Sequence, residues 1–380
     1  MSGTINTPNL KKNLLELCRI AAPSKKEKPV RDYIRAFWEE RKDKGLIWEE
    51  AASVPEGGNA ANVLLKVEGK RPPLLLCAHM DTVPLGDATE VVIREAEGKL
   101  RSDGKTILGG DNRAGIALAM EMLDICLADP DRRTSLEVLF TVQEELGCLG
   151  SANCASGRRG GFDLKSAMCY SMDGETTPPS LIVKSPRKER YTCVVRGRAA
   201  HAAVEAAEGR NAICRAAKLI GVFPQGKVDD ETTANIGSIH GGSQTNVVPG
   251  EVSFTGELRS FSESRFKSHK ESINAACARL QREDNFPVEI KWEHLYDGYT
   301  VSQDEEVVRR FLRSCREMNT DGSLLSSPGG GDANNLNALG IKTVVFGIGM
   351  HDIHTPNEYL DLKEYFFAAD LLRSVLALEG

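Results

Sequence analysis

His79, Asp81, Asp111, Glu144, Glu145, Asp173 and His354 could do chemistry together, because each stands at the end of an apolar run or in the turn after one. Carboxylates clustered in this way repel and raise one another's pKa. A bound dication removes that conflict, and two dications would use nearly the whole set. Imidazole plus carboxylate, without thiolate, is ligand chemistry for zinc, with cobalt or manganese as alternatives, in a hydrolytic site. Two such ions about 3.5–4 Å apart, sharing a carboxylate, acidify water at neutral pH and polarise a carbonyl. A blander reading stays open at this point: His79 is a core histidine, Asp81 caps a turn, and the adjacent glutamates exchange roles. His351, close before His354, is a competing ligand by type.

These residues need rigid supports. Leu74 to Ala78 is an apolar run without polar alternation, which predicts a strand buried on both faces. His79 and Asp81 follow it two apart and point the same way, just before Pro84 ends regular pairing. Leu136 to Val142 predicts a second buried strand, closed by Gln143-Glu144-Glu145-Leu146-Gly147. Ala167 to Met172 predicts another, closed by Asp173-Gly174, and Thr343 to Ile348 one more ahead of His354. Helices are expected at Leu10 to Ile20, Pro29 to Lys44, Ile116 to Ala128, Glu305 to Glu317 and Leu362 to Leu378, and a hairpin near Val91 to Leu100. Strands and helices that alternate in this way indicate a layered α/β domain with its active groups at strand ends.

From about Leu181 the pattern changes to strand, helix, strand, strand, helix, strand: Tyr191 to Val195, Asn211 to Val222, Ala234 to Ile239, Val252 to Leu258, Glu263 to Arg282 and Val288 to Trp292. That order is the split-βαβ, or ferredoxin-like, unit. The expected organisation is an α/β catalytic domain, residues 1–180 and 296–380, with an inserted α+β lid at residues 181–295. Gly329 to Gly331 predicts a tight loop that lets backbone approach a substrate.

Composition limits the alternatives. With 41% hydrophobic and 27% charged residues, the 380-residue chain is an ordinary globular protein of more than one domain. A net charge of −6 argues against a nucleic-acid or anionic-membrane surface. An 18-residue apolar run and a signal-like N-terminus are both missing. Ten cysteines without a Cys-x-x-Cys pair predict buried free thiols, and the expected compartment is cytoplasmic. His-Glu-x-x-His and Gly-x-Ser-x-Gly motifs do not occur. Gly221 to Val228 imitates a P-loop but follows a helix and lacks its final Ser or Thr.

Five ordered blocks carry a resemblance: His79-Met80-Asp81-Thr82-Val83-Pro84, Gly110-Asp111-Asn112-Arg113-Ala114-Gly115, Glu144-Glu145-Leu146-Gly147, Met172-Asp173-Gly174 and His354-Thr355-Pro356-Asn357-Glu358. The chain resembles, over almost its whole length, the co-catalytic zinc peptidases, the family of peptidase T, carboxypeptidase G and aminoacylase. It is most similar to the peptidase T-like tripeptidases, whose lid carries blocks like Ala200-His201-Ala202-Ala203, Gln244-Thr245-Asn246-Val247-Val248-Pro249 and Gly256-Glu257-Leu258-Arg259-Ser260.

The resemblance implies a zinc-exopeptidase-type mixed sheet flanked by helices, and a lid that mediates homodimerisation. It implies that His79, Asp111 and Asp173 hold one zinc, that Asp111 bridges, and that Glu145 and His354 complete the second. Asp81 would orient His79 through a hydrogen bond. Glu144 would take a proton from the attacking water and return it to the leaving amine. His201 would stabilise the oxyanion, from its own or a partner subunit, and Asn246 and Arg259 would grip the substrate's backbone and carboxylate. A cis peptide at Asp111–Asn112 is also implied. Relatives often have Asp where this chain has Asn112, and Gly and Pro where it has Ala203 and Ala207. The implied reaction is metal-dependent removal of the N-terminal residue from a short peptide, with Asp173 favouring the aminopeptidase side. An N-acyl amino-acid deacylase or carboxypeptidase is the alternative, and a catalytically dead peptide-binding protein is the reading from outside enzymes.

Overall fold

The computed structural model describes residues 4–86, 90–129, 131, 134–154 and 161–377. In chain order its main elements are α1 (Thr7–Cys18), α2 (Lys28–Glu39), β1 (Leu46–Glu50), β2 (Val63–Val67), β3 (Leu74–His79), α3 (Gly110–Ala128), β4 (Leu136–Thr141), β5 (Met168–Gly174) and β6 (Ser180–Ser185). There follow β7 (Arg187–Arg196), α4 (Ala212–Ile220), β8 (Thr232–Gly241), β9 (Glu251–Ser260), α5 (Glu263–Asp284) and β10 (Val288–Tyr296). The chain closes with α6 (Glu306–Glu317), β11 (Ser323–Ser326), α7 (Asp332–Ala338), β12 (Lys342–Gly347) and α8 (Leu362–Ala377). The expected hairpin is formed by Arg94–Ala96 and Lys99–Arg101.

The chain divides into two compact units, one of residues 1–184, 300–327 and 331–380, the other of residues 185–299 and 328–330. The first holds a nine-stranded mixed sheet containing, in spatial order, β1-β2-β4-β3-β5-β12-β6. The four central strands, β4, β3, β5 and β12, run parallel. β1, β2 and β6 are antiparallel to their neighbours on this path. Every residue of β3 is buried, as its unbroken apolar run predicts. One face of the sheet carries α3, which packs on β3 and β5. On the other face Leu75, Cys77, Leu139 and Cys169 pack with Leu336 of α7.

Residues 181–184, assigned to the lid from sequence, lie in the first unit, because β6 pairs with β11 and β12 there. The second unit is an antiparallel sheet in the order β8-β9-β7-β10, with a short strand at Gly226–Lys227 beyond β8. Its core joins Tyr191, Cys193 and Val195 to Ala216 and Leu219 of α4 and Ile273 and Cys277 of α5. Chain order and spatial order together are those of the ferredoxin-like unit. Nine of the ten cysteines are buried, Cys214 is exposed, and none is in a disulfide.

Candidate active site

The parallel central strands end together, and the turns that follow gather the residues singled out above. His79 closes β3, Glu144 and Glu145 follow β4, Asp173 is near the end of β5, and His354 follows β12. Asp111 stands between the two imidazoles, its Oδ1 2.9 Å from His79 Nε2 and its Oδ2 2.9 Å from His354 Nε2. Asp173 Oδ1 is 3.4 Å from His79 Nε2, and Glu145 Oε1 is 2.8 Å from His354 Nε2. Two trios thus share Asp111: His79, Asp111 and Asp173, and Asp111, Glu145 and His354, each with ligand atoms within 4.8 Å of one another. Glu144 also groups with His79 and Glu145, so distance alone does not separate the two glutamates. His351 stays apart, bonded to Glu364 at 2.8 Å and stacked on Tyr359.

The charges in this group are poorly balanced by protons. Burial alone would lower the His79 pKa, yet Asp173 and Asp111 raise it well above that of an ordinary imidazole. Burial works to raise Asp111, and His79 and His354 hold it below the usual carboxylate range. Burial pushes Asp173 up to about 7. The hydrogen-bonded Asp111 carboxylate, and then the nearby Glu145 carboxylate, push His354 up to about 11. Glu145 Oε1, although close to His354, lacks a hydrogen bond of acceptable geometry. A buried carboxylate oxygen left in this state, within a set of imidazole and carboxylate donors, fits divalent cations better than protons. The residues fit two such ions.

Asp81 contacts more than His79. The His79 Nδ1 faces the main-chain carbonyl of Asp81 at 3.0 Å, with the carboxylate Oδ1 at 3.4 Å. The carboxylate's closer bonds come from the main-chain N–H of Glu144 (3.0 Å), that of Glu145 (3.1 Å) and the Ser24 hydroxyl (2.7 Å). One fully buried carboxylate therefore ties β3 to the turn that carries both glutamates. Gln143 and Cys148, which flank that turn, have φ of 53° and 59°. Such conformations are uncommon outside glycine and concentrate at functional sites.

The Asp111–Asn112 peptide is cis, as the resemblance implies. Asp111 and Asn112 also leave helical geometry inside α3, which sequence periodicity places no earlier than Ile116. The sequence reading misses several supporting residues. Glu358, buried and pushed up to about 7 by burial, accepts the N–H of Gly109 (2.9 Å) and of Asp111 (3.2 Å). Asn112 donates to Asp173 Oδ1 at 3.0 Å. Arg113, 1% exposed, donates to the Met80 carbonyl at 2.7 Å. Glu358, Asn112 and Arg113 lie within the quoted blocks, so a signal existed. Ser24 had none.

His201, Asn246 and Arg259 lie in the second unit. His201 is exposed, and its Nδ1 accepts the N–H of Ala203 (3.3 Å) and Val204 (3.2 Å), which leaves the proton on Nε2. The main-chain oxygen of Asn246 accepts from Ala202 at 2.9 Å. Arg259 donates from Nε to Glu257 (2.8 Å) and from Nη1 to the Pro328 carbonyl (3.2 Å). Its guanidinium is thus partly committed within its own unit.

The chain is similar to known proteins over most of its length. The family model described as peptidase family M20/M25/M40 matches residues 75–378. A tripeptidase from Staphylococcus aureus is similar at 30% identity and TM-score 0.89, over 98% of each chain. The aminopeptidase PepT of Bacillus cereus is similar at 28% identity and TM-score 0.87, over 98% of this chain and 99% of that one. The Bacillus subtilis protein YqjE is 28% identical over 375 residues, 98% of each.

Proposed function

We propose, from the premise that the chain belongs to peptidase family M20/M25/M40, that it removes the N-terminal residue of short peptides, tripeptides above all. The observation that carries the reading is Asp111 held between His79 and His354, one oxygen to each, at the ends of the parallel central strands. His79, Asp111 and Asp173 would hold one divalent ion, and Asp111, Glu145 and His354 the second, with zinc the expected metal. When bound, the ions supply Lewis acidity that acidifies the attacking water and polarises the scissile carbonyl.

The chain's own residues do the rest. Glu144 is the base that accepts the water's proton and then gives it to the leaving amine. Burial pushes its carboxyl well up, against the pull of His79, and Asp173, Asp332 and Glu145 add to the rise. A raised pKa suits a group that must both take and return a proton near neutrality. Asp81 fixes the turn on which Glu144 sits. His201, with its proton on Nε2, is a donor suited to a developing oxyanion. Arg259 and Asn246 receive the substrate's carboxylate and backbone. The similarity to a tripeptidase and an aminopeptidase supports this substrate class.

We assign catalysis to the first unit and the part of a lid to the second, residues 185–299 and 328–330, and propose that the lid forms a homodimer. Exposed Ile213, Val222 and Ile239 in the second unit support a partner surface there. No helix among the described residues is long and apolar enough to cross a membrane. Cysteines that form no disulfide among the described residues support a cytoplasmic location. A panel of one free tripeptide, its N-acetyl form and its C-terminal amide tests the reaction. The free peptide should be cleaved fastest and the amide poorly. Cleavage of the acetylated peptide with none of the free one would establish a deacylase instead.

A further inference from the structure

We propose that Glu144, Cys148 and Asp332 form a third cation site, distinct from the two that share Asp111, which takes a thiophilic divalent ion such as Zn²⁺ or Cd²⁺. One ligand atom from each of the three lies within 4.8 Å of the other two. Cys148 Sγ is 3.4 Å from Glu144 Oε1. A tetrahedral ion with ligands at about 2.0–2.3 Å spaces them by about 3.5 Å, which the Cys148–Glu144 pair already matches. Neither His79 nor His354 is part of it, and a sulfur donor sets it apart from the nitrogen and oxygen sites beside it.

A second observation points to a ligand independently. Asp332 is 2% exposed, its Oδ2 accepts from Thr141 at 2.5 Å, and its Oδ1 has no hydrogen-bond partner among the described residues. A buried carboxylate oxygen left without a donor is costly unless something positive comes to it. Burial, then the facing Glu144 and Asp332 carboxylates, push the Cys148 thiol well up, so it is protonated without a metal. Binding breaks the S–H bond, forms a sulfur–metal bond and releases one proton to the buffer. Cys148 and Asp332 are buried while Glu144 is partly exposed, so the ion would enter past Glu144.

Occupancy would tie up the Glu144 carboxylate, and excess metal would then inhibit turnover. That consequence rests on Glu144 being the base; binding at the site does not. The test titrates Cd²⁺ into the two-zinc holoenzyme carrying Cys214→Ser, which removes the exposed thiol. Bound cadmium, retained zinc, released protons, ultraviolet thiolate-to-metal absorption and tripeptide cleavage are followed together. The expected result is one further equivalent bound without zinc release, one proton, a new absorption band and parallel loss of turnover. Cys148→Ser should abolish the band, and Asp332→Asn should weaken the third equivalent at least about tenfold. A band that survives Cys148→Ser, a third equivalent without a band, or cadmium that only replaces zinc would overturn the site. A normal third equivalent with unimpaired turnover would leave the site standing and remove Glu144 from its role as base.

Discussion

Asp81 shows how one carboxylate can serve several masters. Its oxygens accept from Ser24, Glu144 and Glu145, and its carbonyl faces His79. Alanine at this position would free the glutamate turn and remove the carboxylate 3.4 Å from the imidazole, while keeping the main-chain carbonyl that faces it. Asp81→Ala should lower metal affinity or turnover about 10–100-fold, read by competition with a chelator and by steady-state kinetics. Glu144→Gln is the complementary case, since it removes a proton acceptor while keeping shape. Turnover should fall about 10²–10⁴-fold with two metal ions per chain retained by elemental analysis. Retained turnover at normal metal content would sink its role as base.

At the level of elements, the start of α3 is where packing and chemistry meet. A Cβ at Gly115 would lie 2.1 Å from Asn112 Oδ1 and 2.4 Å from the Met172 carbonyl. Both neighbours serve the site, since Asn112 donates to Asp173 and Met172 precedes it in β5. Gly115→Ala should therefore destabilise the first unit by about 1–3 kcal/mol and weaken metal binding in the same variant, measured by urea unfolding and chelator competition. Loss of stability with unchanged metal affinity would mean that α3 and the site are not coupled through Asn112. Gly331 plays a similar part on the other side, where a Cβ would come within 3.1 Å of Glu144 Oε1. The backbone of Gly331 thus lies close to the Glu144 carboxylate.

For the whole molecule, the concentration of carboxylates at one end of the sheet makes metal content a stability variable. Stripping the ions should lower the thermal midpoint, and zinc at 100 times its dissociation constant should restore about 2.7 kcal/mol per site. Differential scanning calorimetry of the stripped and reloaded protein checks this, and equal midpoints would argue against metal binding in the folded state. The dimer proposed through the second unit is checked by sedimentation of the holoenzyme, with Ile239→Lys expected to shift it toward monomer if that exposed side chain lies in the interface.

The sequence by itself determined the scaffold and the type of chemistry. An unbroken apolar run such as Leu74 to Ala78 can only be satisfied by burial on both faces. Ordered strand ends bearing His79, Glu145, Asp173 and His354 then restrict the site to one edge of the sheet. The order of elements also marked the insertion, because strand, helix, strand, strand, helix, strand departs from the alternation of strand and helix around it. The tertiary structure decided what depends on contacts remote in sequence. It divided His79 and His354 between the two oxygens of Asp111, engaged His351 with Glu364, and gave Asp81 the Glu144 and Glu145 amides. It also enlisted Ser24 and Glu358 as supports and put Cys148 beside Asp332. Hydrogen bonds of this kind join positions tens to hundreds of residues apart, and a residue's type and spacing record that it can bond without recording to what.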